Sequence, residues 1–388
     1  MTIYLDYNAT TPVDPEVADA IEPWLRQHWG NPSSSHPEGR RARDAVERAR
    51  AEVAALLEAS PDEILFTGCA TEANNLAIRG VARALRSRGR HLVTSAIEHP
   101  SVAQPCQLLQ AEGWEVTVVP VNGQGRVEPE AVARAIRNDT VLVSIMHANN
   151  ETGVLQPVEE ISAVARRRGV LVHADAAQSV GKMPVSVQHL GVDLLTLAGH
   201  KFYAPKGVGA LYVRKGTPLE PLMVGGGQEQ GLRPGTENVP FIAGLGQATV
   251  LAARRMEEES ARILTLRDRL HGLLQEAIPG LRLNGDPDHR LPGTLNLSFP
   301  GVSGRALLDR TPEISASVGS ACHETDGAGS GVLAAMGFSK ARMAGAVRLS
   351  IGRFTTEQEI DTAADRLIDA WRALYRGHHD DELVTPEA

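Results

Sequence analysis

Lys201 stands in "LLTLAGHKFYAPKGVGALYV", directly after an apolar run and flanked by His, Phe, Tyr and Gly. Desolvation in such surroundings lowers the pKa of an amine and makes it a nucleophile suited to a Schiff base. By itself the residue reads first as a strand-end lysine that points to water. Asp175, in "VLVHADAAQSVGK", adds a carboxylate at the end of a second apolar run. Cys322 is one of three cysteines and lies in "ISASVGSACHETDGAGSG", a stretch that neither a strand nor a helix favours. A free thiol is ordinarily a small buried hydrophobe. A thiol in a glycine-rich loop points instead to chemistry, and its thiolate needs a proton acceptor or a positive field nearby.

An amine and an upstream carboxylate at the ends of buried strands are together what pyridoxal phosphate requires. The carboxylate holds the pyridine nitrogen protonated, so that the ring withdraws electrons. Thr71 opens a helical pattern after a Gly-containing turn, where unpaired N–H groups and the helix dipole favour a phosphate. His99 follows a strand and is placed to lie on a ring face.

These residues need a scaffold, and the chain between about Pro15 and Gly216 supplies one. "EILFTG" leads into "ATEANNLAIRGVARALRSRG", "HLVTSAIEH" into "PSVAQPCQLLQAEG", "EVTVVPV" into "EPEAVARAIR" and "TVLVSIMHANNETG" into "PVEEISAVARRRG". "VLVHADAAQ", "LLTLAGHK" and "VGALYVRKG" follow. Runs rich in Val, Ile and Leu with helices between them predict an α/β protein with a mostly parallel, seven-stranded sheet covered on both faces. Ligands of such sheets sit beyond the carboxyl ends of the strands. Thr71, His99, Asn150, Asp175 and His200–Lys201 all fall at or just after such an end.

Beyond Gly225 the organisation changes. "GGGQEQGLRPGTEN" is a glycine-rich loop, and a long helical pattern starts near Pro240. Ile263, Leu266, Leu270, Leu273, Leu274 and Ile278 recur at helical spacing until Pro279–Gly280 stops the run. The pattern predicts a large domain over 15–256 and a smaller α+β domain from 1–14 and 257–376 that carries the Cys322 loop. Residues 377–388, with His378–His379 beside acids, read as a frayed, solvated tail.

The bulk numbers narrow the function classes. A chain of 388 residues, 42% hydrophobic and 22% charged, is long enough for two domains sharing a large core. Its net charge of −8 argues against a nucleic-acid or anionic-membrane surface. The dense basic cluster Arg40, Arg41, Arg43, Arg48 and Arg50 alternates with acids and reads as a solvated helix face. No apolar stretch reaches the ~20 residues of a membrane helix. "MTIYLDYNATTP" lacks the basic-then-apolar pattern of a leader. Cys69, Cys106 and Cys322 lie far apart without C-x-x-C spacing, which predicts neither a metal site nor a disulfide, and a cytoplasmic protein with reduced thiols.

"YLDYNATTPVDPEV", "NPSSSH", "TEANN", "EHPSV", "NNETGVLQP", "DAAQSVGK", "GHKFYAPKGVGALYV", "GGGQEQGLRPGTEN", "SVGSAC" and "RLSIGRFTTEQEID" occur in this order between Tyr4 and about Asp361. The ordered set resembles the NifS/IscS cysteine desulfurases, class-V aminotransferase-like enzymes of the fold-type-I pyridoxal phosphate class. The resemblance implies a homodimer that converts L-cysteine to L-alanine and passes the sulfur, as a persulfide on Cys322, to an acceptor protein. It implies that Lys201 is the Schiff-base lysine, that Asp175 pairs with the pyridine nitrogen, and that His99 stacks on the ring and relays protons. Gln178 and Asn150 would approach the cofactor phenolate or the substrate. Thr71 and His200 would bind the phosphate, and Thr236 would reach the phosphate of the neighbouring subunit. Arg348, in "VRLSIGR", would clamp the substrate carboxylate bidentately.

Some positions depart from the family pattern. Ala198 stands where many members have Ser, which removes one phosphate hydroxyl. Cys69 stands where Gly is common, as a rival thiol, and Ala204 replaces another common Gly. "SACHETDGAGSGVLAAMG", with "NNETG", "AGHKFYAP" and "RPGTENVPFIAGLG", is similar to the selenocysteine lyases, so release of selenide from selenocysteine is the alternative activity. A pyridoxal phosphate aminotransferase would need Lys201, Asp175 and Arg348 but no loop thiol. A non-catalytic sulfur-relay scaffold would have lost Lys201, His99 or Cys322. The acceptor, whether it serves iron–sulfur clusters, thiolated RNA or another product, is not encoded in these motifs.

Overall fold

Seven apolar runs meet in one sheet. Across it they lie in the order Ile64–Thr67, Gly209–Val213, Leu194–Ala198, Leu171–Asp175, Thr140–Met146, His91–Ser95 and Glu115–Val119. Gly209–Val213 runs antiparallel to both of its neighbours, and the remaining pairs are parallel. The computed structural model describes the backbone of residues 2–319 and 330–382, and side chains up to Arg376. Ala198 pairs with Gly209, which pairs with Thr67, so the strands that end at Thr67, Ala198, Asp175, Met146 and Ser95 finish along one edge.

Both faces of the sheet are covered, as near-continuous apolar strands demand. One face packs against helices Pro15–Arg26, Pro37–Leu57 and Val158–Arg167 through Val17, Ile21, Val46, Ala49, Val53 and Ile161. The other packs against Ala70–Leu85 and Pro100–Ala111 through Ala73, Leu76, Ala77, Val81, Val102 and Leu109. Alternate strand residues serve the two cores: Leu65, Leu194 and Leu211 face one, and Ile64, Leu195 and Tyr212 the other.

A further core forms around the antiparallel sheet of Ala346–Ser350, Thr294–Ser298 and Arg282–Leu283. Leu295, Leu297, Val347 and Leu349 pack there against Leu266, Leu270 and Leu274, and against Ile360, Ala363 and Leu367 of helix Glu357–Glu382. The N-terminal strand Ile3–Tyr4 pairs in parallel with Ile314–Ser315 and delivers Ile3 and Leu5 to this core. The long apolar stripe belongs to a single helix, Val239–Ala277. Its first half, through Ala252, packs on the large-sheet core, and from Leu266 onward it packs on the second core. No chain break marks the expected boundary at 256–257. The last helix continues through Glu382, into the segment read as a tail. Among the described residues no helix is long and apolar enough to cross a membrane, and no cluster of three metal-ligating side chains occurs.

Candidate active site

The strand ends border a cavity of about 240 Å3. Its lining brings together Thr71, His99, Asn150, Asp175, Gln178, His200, Lys201 and Arg348, drawn from both cores. Thr236 does not line it. That residue is exposed and borders a separate pocket with Gly68, Gly207 and Arg233. Cys322 lies outside the described residues.

Each side chain is set by a short piece of local structure. Asp175 ends strand Leu171–Asp175 and is 6% exposed. Its Oδ1 accepts from the Ala177 N–H at 3.0 Å and its Oδ2 from Asn74 Nδ2 at 2.8 Å. His99 is the N-cap of helix Pro100–Ala111, with Pro100 at the first helical position. Its Nδ1 accepts from the Ser101 N–H at 3.1 Å, so a neutral ring carries its proton on Nε2. Asn150 sits in a turn organised by Asn149, whose Oδ1 accepts from the N–H groups of Glu151 and Thr152, both at 2.9 Å. Gly153 closes that turn at φ 78°, where a Cβ would stand 2.6 Å from Thr294 Cβ.

Lys201 ends the short turn Gly199–Lys201 after the buried strand Leu194–Ala198. Its Nζ donates to the backbone carbonyls of Asn8 at 2.6 Å and Ala9 at 2.8 Å. Two residues on, Tyr203 adopts φ 73°, a left-handed conformation uncommon for a bulky residue. Burial of its ring, the Arg353 guanidinium 4.1 Å above it, and the Arg353 N–H donating to its hydroxyl at 2.6 Å hold it there. Such strain concentrates beside functional groups. His200 has Nδ1 3.1 Å from Thr10 Oγ1, and burial, reinforced by Lys201, pushes its pKa down to about 4. The imidazole is therefore neutral at ordinary pH.

Arg348 is not a surface arginine. It is 1% exposed on strand Ala346–Ser350, donating through Nη1 to the Asn150 carbonyl at 3.0 Å and through Nη2 to Asp6 Oδ1 at 2.6 Å. Its Nε is buried without a hydrogen-bond partner, an orphaned donor beside the cavity. Arg353, the spare arginine in the same segment, is held by Asp14 and Glu259 and lines no part of the cavity.

Glu98 precedes His99; the residue is half-buried, with its Oε2 atom shut off from solvent. Its Oε1 accepts from Ser95 Oγ and from the Met146 N–H, while Oε2 has no partner. Burial pushes its pKa up to about 8, so it holds a proton at neutral pH. Cys106 is buried and its thiol is pushed up to about 12 by burial and by Glu98. Cys69 is an exposed free thiol on the cavity wall, and Ala198 also lines it.

The wall contains residues that sequence patterns did not single out: Asn8, Ala9, Ser101 and Met146, with Asn74 behind Asp175. Asn8 and Ala9 belong to an N-terminal segment without periodicity. For Asn8, Ala9, Asn74 and Ser101 the only signal was membership of the family-like stretches "YLDYNATTPVDPEV", "TEANN" and "EHPSV".

These groups fit an aromatic base carrying a phosphate. The helix Ala70–Leu85 opens at Cys69 without a side-chain cap, which leaves first-turn N–H donors beside Thr71 and His200 for an anion. Asp175, pinned by two donors, offers a carboxylate to a ring N–H, and Lys201 offers an amine to a carbonyl carbon. The orphaned Arg348 donor suits a carboxylate.

Known proteins share the sequence and the fold. The family model described as "Aminotransferase class-V" matches residues 3–362. The chain is 44% identical over 377 residues to "Cysteine desulfurase IscS" of Dictyoglomus turgidum, covering 96% of each. Among solved structures it resembles a "NIFS-LIKE PROTEIN", with TM-score 0.91 and 38% identity over 96% of this chain and all of that one. It also resembles "SspA in complex with cysteine", with TM-score 0.82 and 38% identity over 92% of this chain and all of that one.

Proposed function

The chain belongs to the class-V aminotransferase family, within its cysteine desulfurases, and from that premise we propose how its residues divide the reaction. The enzyme is a cysteine desulfurase. Its cofactor in this reading is pyridoxal phosphate, which Lys201 would hold at the carbonyl carbon, Asp175 at the ring nitrogen, Gln178 and Asn150 near the phenolate, and Thr71, His200 and the uncapped helix N-terminus at the phosphate. When bound, that cofactor supplies the electron sink that weakens the substrate Cβ–sulfur bond.

The residues do the rest. Arg348 Nε and the guanidinium edge orient the carboxylate of L-cysteine. Lys201 Nζ, poised by two carbonyl oxygens, takes the proton from the substrate Cα. The Cys322 thiolate attacks the substrate sulfur. A sulfur–sulfur bond forms, the Cβ–sulfur bond breaks, Cβ keeps that electron pair and gains a proton, and Lys201 returns its proton to Cα, so the products are alanine and a Cys322 persulfide. His99, with its ring proton on Nε2, relays protons between thiol, substrate and solvent.

The observation that carries this reading is the convergence of Lys201, Asp175, His99, Gln178 and Arg348 on one cavity. The described residues flanking Cys322 support it. Ser317 exchanges backbone hydrogen bonds with Arg348 and donates to Asp6, and Ser330 donates to Glu151 beside Asn150. Cys322 follows Ser317 by five residues, a reach of at most roughly 18 Å of extended chain. We place the enzyme in the cytoplasm as a homodimer, with Thr236 completing the phosphate site of its partner. Trp29, 81% exposed, and Val224, 93% exposed, suit a subunit contact. We also keep the division into a domain over 15–256 and one over 1–14 and 257–376.

The test compares Cys322→Ala with Cys69→Ala on L-cysteine and L-selenocysteine, measuring alanine. Cys322→Ala should make no alanine from cysteine, and Cys69→Ala should match the parent. The reverse result would move the thiol. Alanine from selenocysteine alone would turn the reading to a lyase.

A further inference from the structure

Lys182 closes the stretch "DAAQSVGK", from which the active-site reading uses Asp175 and Gln178 but not the lysine. As a residue it is only partly buried, yet its Nζ donates to two side chains that are among the most buried near the cavity. One is Gln178 Oε1 at 2.8 Å and the other Asn8 Oδ1 at 3.1 Å, on residues 5% and 3% exposed. Burial and the neighbouring charges of Lys201 and Arg348 hold this amine well below the ordinary lysine range. A side chain placed at that cost calls for a compensating role. Its backbone is fixed as well. Gly181 before it adopts φ 76° where a Cβ would stand 2.5 Å from Phe202 Cβ, and Ser260 Oγ on the long helix donates to the Lys182 carbonyl at 2.8 Å.

The chemistry of the two amides explains the position. Gln178 Nε2 donates to the Asn8 backbone carbonyl at 2.9 Å. That carbonyl only accepts, so the nitrogen end must face it and the oxygen end must face Lys182. The same carbonyl accepts from Lys201 Nζ. Asn8 in turn donates through Nδ2 to the Asn150 carbonyl at 3.2 Å and to Thr294 Oγ1 at 2.9 Å, with its own oxygen turned to Lys182. The amine at the oxygen ends and the backbone carbonyls at the nitrogen ends together set which way both amides point; Gln178 shares the Asn8 carbonyl with Lys201, and Asn8 Nδ2 holds the Asn150 carbonyl. Without the amine, each oxygen end loses its donor, and only the acceptors at the nitrogen end still oppose rotation of the amide by half a turn.

We propose that Lys182 is a positioning residue of the desulfurase: from beneath the cavity it locks the Gln178 and Asn8 amides, so that Gln178 keeps an N–H directed to the cofactor. This rests on the site reading above. The measurement is the dissociation constant of pyridoxal phosphate, and the visible absorbance of the bound cofactor, for the full chain and for Lys182→Met, Lys182→Arg, Gln178→Ala and Lys182→Met/Gln178→Ala. Lys182→Met should bind about tenfold more weakly, the worth of one oriented hydrogen bond, with a shifted absorbance maximum. The double variant should bind within about twofold of Gln178→Ala alone, because the lysine acts through the glutamine. Lys182→Arg, which keeps the donors, should return to within about threefold of the parent.

Unchanged affinity and spectrum in Lys182→Met, or an equal loss in the Gln178→Ala background, would overturn the proposal while leaving the site reading intact. A parent protein that binds no pyridoxal phosphate would overturn both. A second route does not depend on Lys182 variants folding. Gln178→Glu keeps a partner for the amine but loses the bond to the Asn8 carbonyl, whereas Gln178→Ala loses both, so the cofactor-free Gln178→Glu protein should melt above Gln178→Ala while both lose cofactor affinity. Gln178→Glu melting at or below Gln178→Ala would overturn the contact.

Discussion

Asp175 and His99, on one wall of the cavity, accept from N–H groups two residues away, whereas Arg348 and Asp6, on the other, are partners separated by 342 positions. The first wall is assembled by strand ends and helix caps, which form wherever their own short segments fold. The second is assembled when the N-terminal segment, the three-stranded sheet and the turn at Asn150 meet. Local wiring protects a group's geometry against changes elsewhere, while distant wiring makes that geometry report on tertiary packing.

The largest effect should come from Lys201→Ala, which removes the reacting amine that ties a strand end of the first wall to the N-terminal segment of the second. Alanine formation should drop by roughly a thousandfold or more, measured chromatographically, with the fold retained. The paired arginines sharpen the comparison next. Arg348→Met should lower kcat/KM for cysteine by roughly 30- to 3,000-fold, because a buried charge pair and the carboxylate site are lost together. Arg353→Met should leave kcat/KM within about threefold but cost about 3 kcal/mol of stability in chemical denaturation, since buried Asp14 keeps only Arg255, at 3.6 Å, and half-buried Glu259 loses its cation. Equal kinetic losses in both would show that the cavity does not set Arg348 apart from its neighbour outside it.

Glu98 gives a pH-dependent test of the first wall. The folded protein holds this proton up to about pH 8, while an unfolded carboxyl releases it near 4.5. Between those values the folded state binds more protons, so the group makes stability fall as pH rises. Glu98→Gln cannot ionise. It should match the parent in melting midpoint near pH 4.5, gain on it steadily toward pH 8 by roughly a few kcal/mol at most, and level off above that. A constant offset across that range would show that the carboxyl does not titrate there. The smallest effect is expected from Ser339→Ala, which removes the cap of helix Lys340–Ala344 beside the Arg348 strand. It should cost about 1 kcal/mol and leave kcat/KM unchanged.

The same contrast governs what the sequence allowed to be read. Asp175, His99, Thr71 and Lys201 were legible because each follows an apolar run whose periodicity announces a strand, and the strand ends share an edge. The seven-stranded sheet was legible for the same reason. Asn8 and Ala9 were not, because residues 6–9 have no period and acquire meaning only through contacts with Lys201, Gln178 and Ser350. Asn74 was hidden on a helix, where its buried side chain turns to Asp175. The second core was anticipated from the apolar stripe after Glu257, but helix Val239–Ala277 runs unbroken through that point. Helical periodicity reports which side of a helix is apolar, and it does not report that successive halves face different neighbours.

That uninterrupted helix has a mechanical consequence. Its 39 residues make a rod of about 58 Å, with each end embedded in a different hydrophobic cluster. Beads on a flexible string can melt one after the other, and a protease finds the string. Here the stretch between the two clusters is itself hydrogen-bonded backbone, so heating should yield one cooperative transition, and cleavage should begin at exposed loops instead of the junction.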